Sequence, residues 1–355
     1  IAQAGLMSME PATGDIKAWV GGIDWKHFQY DHVKQGKRQV GSTFKPFVYA
    51  TAIMNLGMTP CSTVSNATYT KGDWVVEGKG GNLTLRDALA HSKNPVAVRL
   101  IESVSPKKVI QLARDLGVTE EMPNEYAIAL GSTDITIYEM LGAYSSFANF
   151  GNYIKPEMVW RIEDANGRVI KEVKNETKEV MNEMYAYTMI DLMKGVTRFG
   201  TASGELRRMG IPETVEIAGK TGTTQNNSDG WFMGITPNLA TGVWVGWEDR
   251  ATHFWSTGEG QGAKMALPIW GIFMKKVWAD KELGITPDDK FAKPSNWTGD
   301  CADLQGLGGY GDDGGLQTID QIKNPKPKDN QPKNNKPKEE NLNENLNKDE
   351  VDFNQ

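Results

Sequence analysis

Hydrophobic and polar positions divide the chain into a strand-like beginning, a helical middle and a strand-like end. Residues 6–9 and 16–20 flank the turn Pro-Ala-Thr-Gly-Asp, and this arrangement predicts a β-hairpin. Residues 231–235 and 241–247 are rich in aromatic and β-branched side chains, flank a Thr-Pro-Asn turn and predict a second hairpin. Strands at both ends of a helical centre indicate an α+β fold, with an antiparallel sheet closed by chain ends that meet.

Two stretches between the hairpins have the spacing of helices. Residues 106–116 place Val109 and Leu112 on one face, and Gly117 follows as a stop signal. A second helix is predicted over residues 181–196. The middle of the chain is therefore expected to be mainly helical.

A third predicted helix is apolar nearly all round and is therefore expected to be buried. It begins at about Ser42 and runs to Met54, and Pro46 fits there because the first helical turn needs no amide donor. Lys45 is the only charged residue within residues 41–70. The sequence thus predicts a lysine in an apolar environment, three residues after a serine and on the same helix face.

A buried lysine beside a serine indicates nucleophilic chemistry. Burial disfavours the ammonium form, so Lys45 is expected to have a lowered pKa and to act as a general base for the Ser42 hydroxyl. The alternative is that Ser42 caps the helix and Lys45 extends to the surface. The same spacing recurs at residues 105–108, where Ser105 is expected to cap the helix over residues 106–116 and the lysines to lie on its polar face.

A second candidate is the strand-like segment Lys-Thr-Gly-Thr at residues 220–223. Lys220, Thr221 and Thr223 offer an ammonium group and two hydroxyls for a carboxylate. Gly222 would let a ligand backbone approach closely, and the amides of an edge strand can pair with an extended peptide. The alternative is an ordinary edge strand, in which Lys and Thr are common.

A third candidate follows the helical stretch at residues 85–91. Ser92 and Asn94 offer a hydroxyl and a carboxamide two residues apart in a turn. The alternative is plain turn chemistry, because Ser, Asn and Pro all favour turns. His91 adjoins Ser92, but neighbours in sequence rarely face each other, so a Ser/His pair is not expected.

Composition and charge narrow the function classes. The hydrophobic fraction of 39% and 11 Trp residues suffice for a packed core, and the net charge of −6 argues against a nucleic-acid binder. No run approaches 18 apolar residues, so no transmembrane helix is expected within these residues. His27, His32 and His253 lack ligand spacing with acidic partners, so no metal site is predicted. The Trp-rich stretch at residues 231–255 is expected to form core and cleft wall, and no cofactor is predicted. Cys61 and Cys301 are too few for a disulfide framework. They could pair only if the fold brings their Cα atoms within about 7 Å, and both are expected to be free thiols.

Three regions are expected along the 355 residues: a globular domain at 1–294, a Gly/Asp-rich extension at 295–322 and a tail at 323–355. The tail holds nine Asn, seven Lys and four Pro but only four apolar residues. Such a composition cannot bury enough apolar surface to offset the entropy of ordering, so the tail is expected to be disordered.

The three candidate motifs stand in an order that one enzyme superfamily shares. S-x-x-K at residues 42–45, S-x-N at residues 92–94 and K-T-G at residues 220–222 resemble the motifs of penicillin-binding proteins and serine β-lactamases. The resemblance covers roughly residues 1–280.

Segments around the motifs narrow the resemblance to the transpeptidase domain of class A penicillin-binding proteins. Residues 38–46 resemble the active-site segment of that class, although Val40 stands where many members have Pro. Residues 138–151 resemble the segment between the second and third motifs. Residues 229–234 and 243–246 are similar to the closing hairpin.

The resemblance implies a central antiparallel sheet flanked by helices, with an inserted helical subdomain. It implies that Ser42 attacks the carbonyl of the penultimate D-Ala of a peptidoglycan stem peptide, while Lys45 takes its proton. The backbone amides of Ser42 and Thr223 would form the oxyanion hole. Ser92 and Lys220 would relay a proton to the departing D-Ala.

The same resemblance implies the binding residues and the partners. Asn94 would hold the peptide amide, Thr221 and Thr223 the terminal carboxylate, and Gly222 would belong to the same substrate-binding strand. The amine of a second stem peptide would take the acyl group, and β-lactams would acylate Ser42. By resemblance the domain acts at the outer face of a bacterial cytoplasmic membrane. An anchor and a glycosyltransferase domain are expected upstream, and other cell-wall synthesis proteins as partners.

Three alternatives remain open from the sequence. A D,D-carboxypeptidase differs only in that water replaces the acceptor amine. A β-lactam hydrolase would need a base for a deacylating water, and no acidic residue in the sequence stands out for that task. A non-catalytic peptidoglycan-binding domain would have a decayed site, whereas every motif residue is present here.

Overall fold

The computed structural model describes residues 1–224 and 226–297. The strands of this part are β1 (Gln3–Met9), β2 (Ile16–Val20), β3 (Arg38–Gln39), β4 (Thr63–Ser65), β5 (Tyr69–Lys71), β6 (Trp74–Val76), β7 (Asn82–Thr84), β8 (Asp134–Ile135), β9 (Asn152–Ile154), β10 (Arg161–Glu163), β11 (Val169–Glu172), β12 (Thr177–Glu179), β13 (Ala218–Thr223), β14 (Asp229–Ile235) and β15 (Ala240–Gly246). The α-helices are α1 (Lys45–Leu56), α2 (Leu85–Ala90), α3 (Asn94–Val104), α4 (Pro106–Asp115), α5 (Ile137–Ala148), α6 (Glu183–Arg198), α7 (Ser203–Arg208), α8 (Thr257–Gly260) and α9 (Gly262–Ala279).

A five-stranded antiparallel sheet forms the centre, in the order β13-β14-β15-β1-β2. Both predicted hairpins are present, as β1–β2 and β14–β15. The first strand pairs with the last, from Gln3 opposite Gly246 to Met9 opposite Ala240. This pairing confirms that strands from opposite ends of the domain meet side by side in one antiparallel sheet.

Helices cover both faces of the sheet. A Cβ atom on Gly234 would lie 2.5 Å from the Trp270 ring of α9, whereas one on Gly242 would lie 3.3 Å from Ile137 of α5. Gly242 is paired with Met233, and successive strand residues point to opposite faces, so α5 and α9 pack on opposite sides.

The segment between β2 and β13 contains α1 to α7 and supplies the inserted helical part of the α+β fold. Helix α1 lies at its centre, in contact with α3 and α6, and its residues are buried from Lys45 to Ile53. The buried helix was correctly predicted, but a 3₁₀ turn at Gly41–Phe44 precedes it and the α-helix begins at Lys45.

The two other predicted helices are confirmed as α4 and α6, each within two residues of its predicted bounds. The cap predicted for α4 is wrong in detail. Ser105 occupies the N-cap position, but with φ at +77° its side chain makes no capping hydrogen bond.

The expectation of a free thiol at Cys61 is wrong, because this residue is disulfide-bonded. Cys301, the other cysteine of the chain, lies outside the described residues. So do most of the predicted extension at 295–322 and the whole predicted tail at 323–355, which stay predictions. None of the described helices has the length and apolarity needed to span a bilayer.

Candidate active site

Ser42 lies in the 3₁₀ turn that leads into α1 and is partly exposed. Gly41, at φ +52°, makes this turn possible, because a Cβ atom there would lie 2.7 Å from the carbonyl oxygen of Thr223. The turn therefore packs against the end of β13. The alternative of a capping serine is not realised, since neither the turn nor α1 has a side-chain cap.

The backbone around Ser42 is held from several directions. Val40 N–H donates to Thr133 O at 3.1 Å, a bond that proline at this position would lack, and Gly41 N–H donates to Gly131 O at 3.1 Å. The buried Tyr144 hydroxyl donates to Thr43 O at 2.5 Å. These bonds fix the position of the Ser42 turn relative to the rest of the domain.

Lys45 is completely buried, and the alternative that it extends to the surface is wrong. Its Nζ lies 2.6 Å from Ser92 O, 2.6 Å from Asn94 Oδ1 and 3.1 Å from Ser92 Oγ. Burial lowers the pKa of Lys45 well below its ordinary value, and the charges of Lys220 and Lys93 lower it further. Part of the amine population is thereby shifted to the neutral form that a general base needs.

Ser92 lies in the turn between α2 and α3, with φ at +54°. Its hydroxyl faces a second amine, because Lys220 Nζ donates to Ser92 Oγ at 2.9 Å and to Thr221 O at 2.9 Å. Lys220 is also completely buried, and burial lowers its pKa to about 7. The Ser92 hydroxyl therefore lies between the amines of Lys45 and Lys220.

Strand β13 is an edge strand of the main sheet, as predicted, and carries Lys220 to Thr223. Packing within the protein explains why residue 222 is a glycine, since a Cβ atom there would lie 2.8 Å from both Val40 O and Thr43 Cγ2. Its absent side chain lets the Ser42 turn contact the strand. The structure thus brings all three motifs to one place, across more than 170 residues of sequence.

Two partners of β13 lie outside the three motifs and were not predicted. Thr201 Oγ1 is 2.7 Å from Thr221 Oγ1, and Gly262 N–H donates to Thr223 Oγ1 at 3.1 Å. No sequence pattern distinguishes Thr201, which follows α6 in a loop, from other loop threonines.

Other candidate residues from the sequence lie outside the cluster that the three motifs form. His91 has an exposed side chain whose ring lies 6.2 Å from that of Phe199. Lys107 and Lys108 are exposed on α4, in agreement with a structural role for the second S-x-x-K spacing. In residues 1–224 and 226–297, no group of three His, Cys, Asp or Glu side chains could hold a metal ion.

A match to a family model decides the classification. Residues 4–249 match the penicillin-binding protein transpeptidase domain. The chain belongs to this family. It is 36% identical to penicillin-binding protein 1A of Aquifex aeolicus, over 81% of this chain and 40% of the relative. It is 34% identical to penicillin-binding protein 1A of Neisseria meningitidis serogroup B, over 79% of this chain and 36% of the relative. The chain thus spans about two fifths of the curated relatives it matches.

Solved structures of the same family have a similar fold. Penicillin-binding protein 1A of Haemophilus influenzae matches with a TM-score of 0.72 and 26% identity, over 83% of this chain and 49% of that one. PonA1 of Mycobacterium tuberculosis matches with a TM-score of 0.71 and 25% identity, over 83% of this chain and 80% of that one. PonA1 in complex with penicillin V matches with a TM-score of 0.70. These likenesses confirm the predicted family and the α+β fold.

Proposed function

We propose that this chain is a D,D-transpeptidase that crosslinks peptidoglycan stem peptides through an acyl-enzyme on Ser42. The observation that carries the proposal is the buried cluster of Lys45, Ser92, Asn94 and Lys220 beside the Ser42 turn. A hydroxyl between two amines of lowered pKa provides the proton transfers that acyl transfer requires.

The first step is the acylation of Ser42. A neutral lysine amine has two N–H groups and one lone pair. Ser92 O and Asn94 Oδ1, each at 2.6 Å, accept the two N–H groups of Lys45, and the lone pair remains for a hydroxyl proton. Ser42 Oγ gives its proton to Lys45 and bonds to the carbonyl carbon of the penultimate D-Ala, which becomes tetrahedral as the carbonyl oxygen takes up the electron pair.

The negative charge that develops on the substrate oxygen needs donors nearby. The backbone N–H groups of Ser42 and Thr223 supply them, and the close packing of Gly41 on Thr223 supports this placement. One such donor contributes roughly a hundredfold to a thousandfold in rate.

The peptide bond to the terminal D-Ala then breaks, and its nitrogen takes a proton. Lys45 gives up the proton that it took from Ser42, and Ser92 and Lys220 relay it to the leaving amine; Ser92 Oγ lies 3.1 Å from Lys45 Nζ and 2.9 Å from Lys220 Nζ. The terminal D-Ala leaves as a free amino acid, and the remaining peptide stays bound to Ser42 as an ester.

Substrate binding follows from the groups that remain available. Asn94 Oδ1 accepts from Lys45, so its amide N–H groups are left to donate to a substrate carbonyl. Thr221 and Thr223, beside Gly222 on β13, hold the terminal carboxylate. β-Lactams acylate Ser42 because they present the same carboxylate and a reactive carbonyl.

The acyl group is transferred to the amine of a second stem peptide, and the Ser42 hydroxyl regains its proton. Transfer to water would make the domain a D,D-carboxypeptidase. Within the described residues, neither Lys45 nor Lys220 has a carboxylate partner, which favours a slowly hydrolysed acyl-enzyme over a β-lactam hydrolase. We place this activity at the outer face of a bacterial cytoplasmic membrane, where peptidoglycan and the other cell-wall synthesis proteins are found.

The released D-Ala tests the proposal. Incubation with a stem pentapeptide ending in D-Ala-D-Ala should release D-Ala, and an added stem-peptide amine should divert the acyl group into a crosslinked product detected by mass spectrometry. Ser42→Ala should lose both products, whereas Ser105→Ala should keep both. D-Ala release by Ser42→Ala at the wild-type rate would refute the proposal.

A further inference from the structure

A hydroxyl outside the three motifs lies against the strand that is proposed to bind the substrate carboxylate. Thr201 Oγ1 is 2.7 Å from Thr221 Oγ1, and either oxygen could be the donor. Thr201 follows α6, and the steps proposed above do not use it. Its contact with Thr221 therefore needs its own explanation.

The position of Thr201 is fixed by the end of α2. Its backbone N–H donates to Ala90 O at 3.0 Å, and a Cβ atom on Gly200 would lie 2.2 Å from the same oxygen. Ala90 is the last residue of α2, two residues before Ser92. The segment that positions the Ser92 hydroxyl thus also positions the Thr201 hydroxyl.

The direction of the hydroxyl bond follows from the number of hydrogens. A threonine hydroxyl has one hydrogen, and a carboxylate only accepts. If Thr221 donates its hydrogen to a substrate carboxylate, its oxygen is left to accept, and Thr201 must be the donor. A hydroxyl that accepts a bond is polarised and becomes a stronger donor in turn.

Thr223 has the same arrangement, which gives independent support. Its Oγ1 accepts from the N–H of Gly262, the first residue of α9, at 3.1 Å, so its single hydrogen also remains available. Thr221 and Thr223 are two residues apart on β13 and therefore point to the same side of the strand. Each hydroxyl has a fixed donor and one hydrogen to offer, which suits the two oxygens of a carboxylate.

We infer that Thr201 is a positioning residue for substrate recognition: it donates to Thr221 Oγ1 and thereby directs the Thr221 hydrogen toward the substrate carboxylate. This inference rests on the proposed function, since it assumes that Thr221 binds a carboxylate. It assigns to the loop after α6 a part in selecting substrates that carry that group.

The test compares acylation by benzylpenicillin with acylation by its methyl ester, which lacks the carboxylate charge. Thr201→Val removes the hydroxyl at nearly constant shape. It should lower the second-order rate constant for benzylpenicillin by up to about tenfold, the effect of losing one hydrogen bond between neutral groups, because the Thr221 hydrogen is no longer directed toward the carboxylate. The rate constant for the ester should change much less, and Thr201→Ser should restore the wild-type ratio of the two.

Ser203→Ala is the matched control. Ser203, the first residue of α7, donates through Oγ to Gly200 O at 2.9 Å and not to Thr221, so its loss should leave the acid-to-ester ratio unchanged. Thermal unfolding of every variant shows which ones fold, and Thr201→Ala replaces Thr201→Val if the latter does not.

Two results would overturn the inference. Equal losses for benzylpenicillin and its ester in Thr201→Val would show a packing role, and a lowered ratio in Ser203→Ala would show a general loop effect. A failure of the proposed function has a different signature, because wild-type protein would then form no adduct on Ser42 with either compound.

Discussion

At the scale of single residues, two buried amines share the hydroxyl of Ser92. Two ammonium charges so close together in a buried site repel each other, so the protonation of Lys220 opposes that of Lys45. The neutral form of Lys45 is the general base in the proposed mechanism. The acylation rate constant therefore falls as the pH falls through the pKa of Lys45.

This coupling predicts a shift in the pH dependence of acylation. Burial is the main cause of the lowered pKa of Lys45, and the charge of Lys220 lowers it further; Lys220→Ala removes that charge, so the pKa rises and the acid limb of the pH–rate profile moves to higher pH. Lys220→Arg keeps the charge and should leave the limb near its wild-type position. The measurement is the rate of benzylpenicillin acylation over a pH series. A limb that stays in place in Lys220→Ala would contradict the coupling.

The sequence predicted part of this arrangement. The single charge within residues 41–70 was enough to predict a buried Lys45. The local pattern could not show that Lys45 and Lys220 both lie near the Ser92 hydroxyl. Ser92 and Lys220 are 128 positions apart, and only the family resemblance related them. Thr201 was missed for the same reason, since its role depends on a contact and not on a pattern.

At the scale of elements, a buried ion pair joins the strand before the Ser42 turn to the sheet. Arg38 of β3 donates through Nε to Asp229 Oδ1 of β14 at 2.7 Å. Asp229 is completely buried and also accepts from Trp244 Nε1 at 3.0 Å and from Ser228 Oγ at 2.8 Å. The pair therefore links the strand before Ser42 with the start of β14.

We predict that Asp229→Asn lowers the free energy of unfolding by about 3 kcal/mol, because it leaves the Arg38 charge buried without its partner. Asp134→Asn is the control, since its bond to Arg250 lies between half-exposed side chains and should contribute less than about 1 kcal/mol. Urea unfolding monitored by tryptophan fluorescence measures both. Equal losses of unfolding free energy in the two variants would contradict the prediction that the buried ion pair contributes more than the exposed one.

Element boundaries show where sequence patterns lose precision. The hairpins and the helices α4 and α6 were predicted because turn residues and apolar spacing mark them directly. Ser42 to Phe44 were predicted as the start of the α-helix but form a 3₁₀ turn with Gly41, whose φ is +52° and which packs closely against Thr223 of a distant strand. Tertiary contacts decide such local geometry, and the local pattern of a single sequence does not show which distant residues come into contact.

At the scale of the whole molecule, the sheet and the inserted helices assemble one site from three distant segments. Strand β1 pairs with β15 in the sheet. The Ser42 turn and the Ser92 turn belong to the helical part that packs against β13. The predicted α+β class follows from strands at both ends of a helical centre. The exact meeting of Ser42, Ser92 and Lys220 was expected only through the family resemblance.

The most direct test of the account is the intact mass of the protein after incubation with benzylpenicillin, followed over hours, with Ser42→Ala alongside. Wild-type protein should gain the mass of one penicillin molecule and keep it, on the peptide that contains Ser42, while Ser42→Ala gains nothing. An adduct of equal amount on Ser42→Ala would contradict the central claim that Ser42 is the nucleophile.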